Sequence, residues 1–168
     1  GRSAGNRAAS VQPAGGWSTA TTGTFTVNNA VGPPIVTITA SPTGTQTGNV
    51  TLKFKLTDSD HNTKSDVTIT YSIDGGVNFP NTATLAAATG AITVLTGLDD
   101  GLPPTGGQVY TVLWDSRANK IGLTDSQTIQ LRITPTDTEG AGSPATTAGF
   151  TVDNNEAPQA STLAASGT

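Results

Sequence analysis

The sequence contains no cysteine and no methionine. Without thiols, neither a disulfide framework nor a thiolate metal site can form, so packing and hydrogen bonding must hold the fold. Charge is also scarce. Charged residues make up 12% of the chain, where a soluble globular domain carries about 25%. The eight Lys and Arg are scattered, the net charge is −4 and the pI is about 4.6. Nucleic-acid binding needs clustered cations that release counterions from phosphates, and none are clustered here. DNA and RNA are therefore not expected as partners. No apolar run approaches the roughly 20 residues that span a bilayer as a helix. Because the chain lacks methionine, Gly1 is not a translation start and the chain is expected to be a processed product or a fragment, from which a signal peptide could have been removed.

Catalytic side chains are few as well. His61 is the only histidine; it sits in a polar loop, and no G-x-S-x-G nucleophile motif occurs. The only glutamates, Glu139 and Glu156, lie in turn-like segments, a poor start for a glycosidase carboxylate pair. No enzyme activity is expected.

What fills the chain is threonine, 32 residues of it, with 20 glycines and 34% hydrophobic residues. Threonine is β-branched, favours strands and keeps an outward face wet. The dominant period is two. Ile35–Ala40 follows Pro33-Pro34 as a first strand. In Val50–Thr57, Val50, Leu52, Phe54 and Leu56 alternate with the outward Lys53 and Lys55. In Val67–Ile73, Val67, Ile69, Tyr71 and Ile73 face inward. Thr82–Ala86, Ala91–Leu95, Val109–Trp114, Thr128–Ile133 and Phe150–Val152 complete the set. Turn residues separate these segments, at Asp74-Gly75-Gly76, at Asp100-Gly101 and over 138–142. Seven or eight short strands at this spacing predict an all-β, immunoglobulin-like antiparallel sandwich.

The chain also repeats itself. The stretch from Ala20 to Asn29 returns from Ala145 to Asn154, with Phe25 on Phe150, an offset of 150 − 25 = 125 residues. The register continues without a gap: Pro33 falls on Pro158, Thr37 on Thr162 and Ser41 on Ser166, and upstream Arg7 falls on Arg132. Between 20 and 41, 11 of 22 positions are identical. A period of this length marks tandem domains, since solenoid repeats are only about 20–50 residues long. One unit is therefore expected over 31–155. Residues 1–30 are expected to be the last strands of a preceding unit, and 156–168 the first strand of a following one, or a linker.

Tyr71-Ser72-Ile73-Asp74-Gly75-Gly76, Trp114-Asp115-Ser116, Arg132 to Asp137 and Phe150 to Asn154 resemble the immunoglobulin-like or fibronectin-III-like repeats of large bacterial surface proteins. The low-charge Thr/Ala/Gly composition is common in such secreted repeats. The resemblance covers most of 20–166 and carries no functional residues with it. It implies an extracellular or cell-surface stalk, adhesin or filament.

Two sets of residues stand out as candidate sites. The first is an assembly strand. Phe25, Thr26 and Val27, copies of the Phe150–Val152 strand, are expected to pack into a hydrophobic groove of the kind Phe150 and Val152 occupy. Copies of the chain would then join head-to-tail by strand addition. Such a contact does not close on itself and gives a fibre. The second is a loop of alternating oxygen ligands, Asp58, Asp60, Asn62 and Asp66, in which calcium is the one cofactor to consider. The EF-hand pattern fails there, because Thr63 stands where glycine is required and Ile69 where the bidentate glutamate would be. With calcium the alternative function is a calcium-dependent adhesin or carbohydrate-binding module.

Lesser features read as structure. Ser72 to Phe79 fits the S-x-D-x-G-x-x-[WF] pattern called the Asp box, physically a capped hairpin turn. Trp17 and Phe79 are the only aromatics expected at the surface to meet a glycan. Lys53 and Lys55 face outward, unsuited to a buried isopeptide bond. Asn49-Val50-Thr51 is the only N-x-[ST] sequon, at the start of a strand.

Overall fold

The computed structural model describes residues 32–59, 64–102 and 106–155. The expected immunoglobulin-like sandwich is what these residues form, and none of them is helical. Nine strands run in the order β1 (Ile35–Ala40), β2 (Thr45–Gln46), β3 (Asn49–Thr57), β4 (Asp66–Ser72), β5 (Asn81–Thr82), β6 (Val109–Asp115), β7 (Gln127–Thr136), β8 (Ala145–Thr146) and β9 (Phe150–Val152). One sheet has the order β1-β3-β6; the other runs β2-β9-β7-β4-β5, with β8 also on β7. The expected repeat segments at 1–30 and 156–168 lie outside the described residues.

Alternation builds the core. Along β3, Val50, Leu52, Phe54 and Leu56 are all fully buried, while Lys53 is exposed and Lys55 half-buried on the opposite face. The facing sheet supplies Ile129, Leu131 and Ile133 from β7 and Val152 from β9, each without exposed surface. Trp114 lies between the layers, 5.2 Å from the Tyr71 ring and edge-on to Phe150 at 6.4 Å. Its indole N–H donates to Asn119 Oδ1 at 2.6 Å, which gives the buried ring a polar partner.

Three expectations are corrected. Ile73 is 55% exposed, because β4 ends at Ser72 and the chain turns there instead of continuing its alternation. Thr82–Ala86 and Ala91–Leu95 are not strands beyond Asn81–Thr82. That stretch follows the β6 edge through isolated bonds, Ala86 N to Leu113 O and Ile92 N to Thr111 O, both 2.8 Å. Finally, the pairing is antiparallel except between β2 and β9, which run parallel.

The registers give the sandwich two poles. Ile35, the first residue of β1, sits opposite Thr57, the last of β3. Val152, the end of β9, sits opposite Gln127, the first of β7. Asn154, two residues on, packs at Gly48 and Ser116, beside the start of β3 and the end of β6. The chain thus enters at one pole, called leading here, and leaves at the other, the trailing pole. Between them lies β3, nine residues or about 27 Å at the usual strand rise of about 3.3 Å.

Candidate functional sites at the two poles

At the leading pole the end of β3 in one sheet meets the end of β7 in the other, where Asp66 of β4 also pairs with Thr136 of β7. Asp58, Asp137 and Glu139 each bring a carboxylate oxygen within 4.8 Å of the others. Asp58 has no exposed surface, and its backbone N–H donates to Gly101 O at 2.9 Å. Asp137 closes its own turn: its Oδ1 accepts from the Glu139 and Gly140 amides at 2.8 and 3.0 Å, and its buried Oδ2 has no hydrogen-bond partner. Three carboxylates this close, one in the interior, repel one another unless a cation, a proton or hydrogen-bond donors offset the charge. Their oxygens are the hard ligands that calcium takes.

The same pole holds more acid. Ser65 Oγ donates to Asp100 Oδ2 at 2.8 Å inside the protein, and Lys64 pairs with Asp99 on the surface. The Tyr110 hydroxyl donates to Asp99 O at 2.9 Å. Burial, and then the Asp100 charge, raise the pKa of that hydroxyl above its ordinary value. Of the calcium ligands expected from sequence, Asp58 joins this cluster. Asp66 instead accepts from the Gly97 amide at 2.8 Å. Asp60 and Asn62 lie outside the described residues. Asp137 and Glu139 were not in that set, and the packing of the two sheets brings them to Asp58.

The trailing pole is held by one neutral side chain. Asn154 is 3% exposed. Its Oδ1 accepts from the Gly48 amide at 2.6 Å, from Thr47 Oγ1 at 3.2 Å and from Arg117 Nε at 3.4 Å. Its Nδ2 donates to Ser116 Oγ and to Ile121 O, each at 2.8 Å, and its backbone N–H donates to Gly122 O at 2.7 Å. Close approach of Gly122 to β9 makes this possible: a Cβ there would lie 2.6 Å from Val152 O, and φ is +65°. The residue was not singled out from sequence. Its signal was the repeat, which keeps asparagine at Asn29 and Asn154.

Phe150 and Val152 of the expected assembly strand are 3% and 0% exposed, in a slot between β7 and β2. Phe25, Thr26 and Val27 lie outside the described residues. The Asp-box turn forms as a capped hairpin: Ser72 Oγ donates to Asp74 Oδ1 at 2.6 Å, and Asp74 accepts from the Asn78 amide at 3.0 Å and from its side chain at 2.8 Å. The Asn78 amide first, then the Ser72 hydroxyl and the Asn78 side chain, hold the Asp74 pKa down at about 2. Phe79 is half-buried under the Arg132 guanidinium, 3.7 Å from the ring centroid, so that ring face is not open to a sugar. Asn49 of the sequon is exposed at the start of β3.

No protein-family model matches the chain, and no characterised protein matches it by sequence. Among solved structures the chain is similar to AggA, the major subunit of aggregative adherence fimbriae type I of Escherichia coli. That match is 16% identical and covers 75% of this chain and 98% of that one, with a TM-score of 0.34. No helix of the described residues is long and apolar enough to cross a membrane.

Proposed function

We propose that the chain is a structural repeat of an extracellular filament or surface stalk, with units joined end to end and no chemistry of their own. The observation that carries this reading is the placement of chain entrance and exit at opposite poles, combined with a sequence that repeats 125 residues (150 − 25) further on. Units joined that way extend as a rod. Residues 1–30 then supply the last strands of the preceding unit and 156–168 the first strand of the next. Phe25 and Val27 take, in that preceding unit, the buried slot that Phe150 and Val152 fill in this one.

Electron microscopy of native material, paired with its intact mass, tests the proposal. Filaments or rods are expected; globular particles of one unit would refute it. The mass separates two versions, since filaments built from chains of 16.8 kDa mean strand addition between chains. Much heavier chains mean a covalent tandem array. In the strand-addition version, Phe25→Ala with Val27→Ala should loosen assembly, each by about 2–5 kcal/mol as for buried large-to-small changes.

A second reading is a calcium-dependent adhesive module, favoured by the buried Asp58 carboxylate facing Asp137 and Glu139. Calcium at 100 times its dissociation constant should then stabilise the fold by about 2.7 kcal/mol. A melting temperature that ignores both calcium and EDTA would remove this reading.

A further inference from the structure

Exposed large apolar side chains are not spread over the sandwich. Of the seven among the described residues, six lie at the poles: Ile35 (51% exposed), Leu102 (54%) and Val109 (50%) at the leading pole, and Ile73 (55%), Val77 (76%) and Leu123 (44%) at the trailing one. Val94 alone sits farther back. The flanks of the sandwich present threonine and lysine instead, as at Thr37, Thr51, Lys53 and Thr68. Scattered apolar residues need no explanation, whereas their concentration on two opposite faces marks interaction surfaces.

We propose that these two faces dock on each other, trailing pole of one unit against leading pole of the next. The inference rests on the tandem reading above, and chain length supports it. The 125-residue offset puts the position equivalent to Ile35 at 35 + 125 = 160, where the following unit has the smaller Ala160, so residues 153–159 connect Val152 to that strand. Asn154 is pinned into the trailing pole by its buried amide. Only residues 155–159 remain to cross between Asn154 and position 160, six steps with a reach of at most about 22 Å at roughly 3.6 Å per residue. The next unit therefore starts within one domain width of Leu123, whose neighbour Thr124 already accepts a hydrogen bond from Asn155 at 3.1 Å. A contact of inter-domain size, of order 600–1,500 Å², would cover both apolar faces. The occupant of each face is thus an adjacent copy of the same repeat.

The absence of cysteine makes the test clean. In a chain with residues 31–155 duplicated in frame, Thr68→Cys in each unit places one spin label on the exposed face of each β4. Pulsed electron resonance then reads the distribution of distances between units. A single narrow distribution is expected. Val77→Lys with Leu123→Lys in the first unit should broaden it about twofold or more, as for units joined only by a linker. Ile35→Lys in the second unit should do the same from the opposite face. All three residues are exposed, so melting of the single-unit chain with the same changes should stay put and excludes misfolding as the cause. Equal widths with and without the substitutions, broad or narrow, would overturn the proposal. The intact mass of native material separates the two failures. Mass of a one-unit chain refutes the covalent tandem reading; a longer chain with broad distances refutes only the docking.

Discussion

The two poles of one sandwich are closed by different chemistry. At the trailing pole a single neutral amide, Asn154, bridges the β2–β3 turn, the loop after β6 and the end of β9, and all its partners are uncharged except Arg117. At the leading pole the corresponding place is filled with carboxylates: Asp58, Asp137 and Glu139 face one another, with Asp100 buried beside them. The neutral network is complete in itself, since each donor and acceptor of the amide has a partner within the unit. The acidic one gathers like charge, with a buried Asp137 oxygen that accepts no hydrogen bond. One end is therefore closed by neutral hydrogen bonds, and the other by groups of like charge.

Substitution at Asn154 should break this contrast most strongly. Asn154→Ala strands the Gly48 amide and the Ile121 carbonyl, each costing about 1–3 kcal/mol when buried without a partner, for a total loss of roughly 3 kcal/mol. Urea denaturation measures it, and a loss under 1 kcal/mol would mean that water replaces the amide at little cost. The same variant sharpens the comparison from the other side. If the poles are independent, any calcium-induced shift in melting should persist in Asn154→Ala at its full size, because distant sites add.

The smallest effect belongs to Asp74. Its carboxyl titrates at about 2 in the folded chain against an ordinary value of 3.8. A depressed acid stabilises the fold above the unfolded value, and that contribution is lost as pH falls from about 4 towards 2. Asp74→Asn should flatten the decline of the urea midpoint across that window by lowering the midpoint at pH 7, and leave the midpoint near pH 2 little changed. An unaltered acid limb in the variant would assign the decline to other carboxylates.

Much of the sandwich was legible because burial on one face writes a period of two into the chain. Ile35–Ala40 and Phe150–Val152 were read at their observed bounds, and β3 within one residue. The two-residue strands β2 and β8 carry no period at all. Ile73 continues the alternation of β4, but the Ser72-Asp74 cap captures the backbone and turns the side chain to solvent. Residues 84–95 have strand composition yet bond to β6 only at intervals. The polar sites were harder to read for a different reason. Asp58 meets Asp137 across 79 residues (137 − 58) of sequence, and only the packing of one sheet against the other makes them neighbours. Asn154 looks like an ordinary linker residue until its six partners are known, although Asn29 repeats it.

The parallel pairing of β2 with β9 has a mechanical consequence. Both strands run towards the trailing pole, but β2 is tethered through β1 to the point where the chain enters, and β9 leads directly to the exit. Tension along a rod of such units would pull β2 one way and β9 the other, along their common axis. The bonds from Thr151 N to Gly44 O and from Asp153 N to Gln46 O, both 2.9 Å, would be loaded side by side in shear. So would the clasp of Asn154 on Thr47 and Gly48. Bonds sheared together must fail together, whereas bonds peeled from one end fail in turn. The seam between 44–48 and 151–154 is short, yet its orientation suits it to resist stretching beyond what its contribution to thermal stability would suggest.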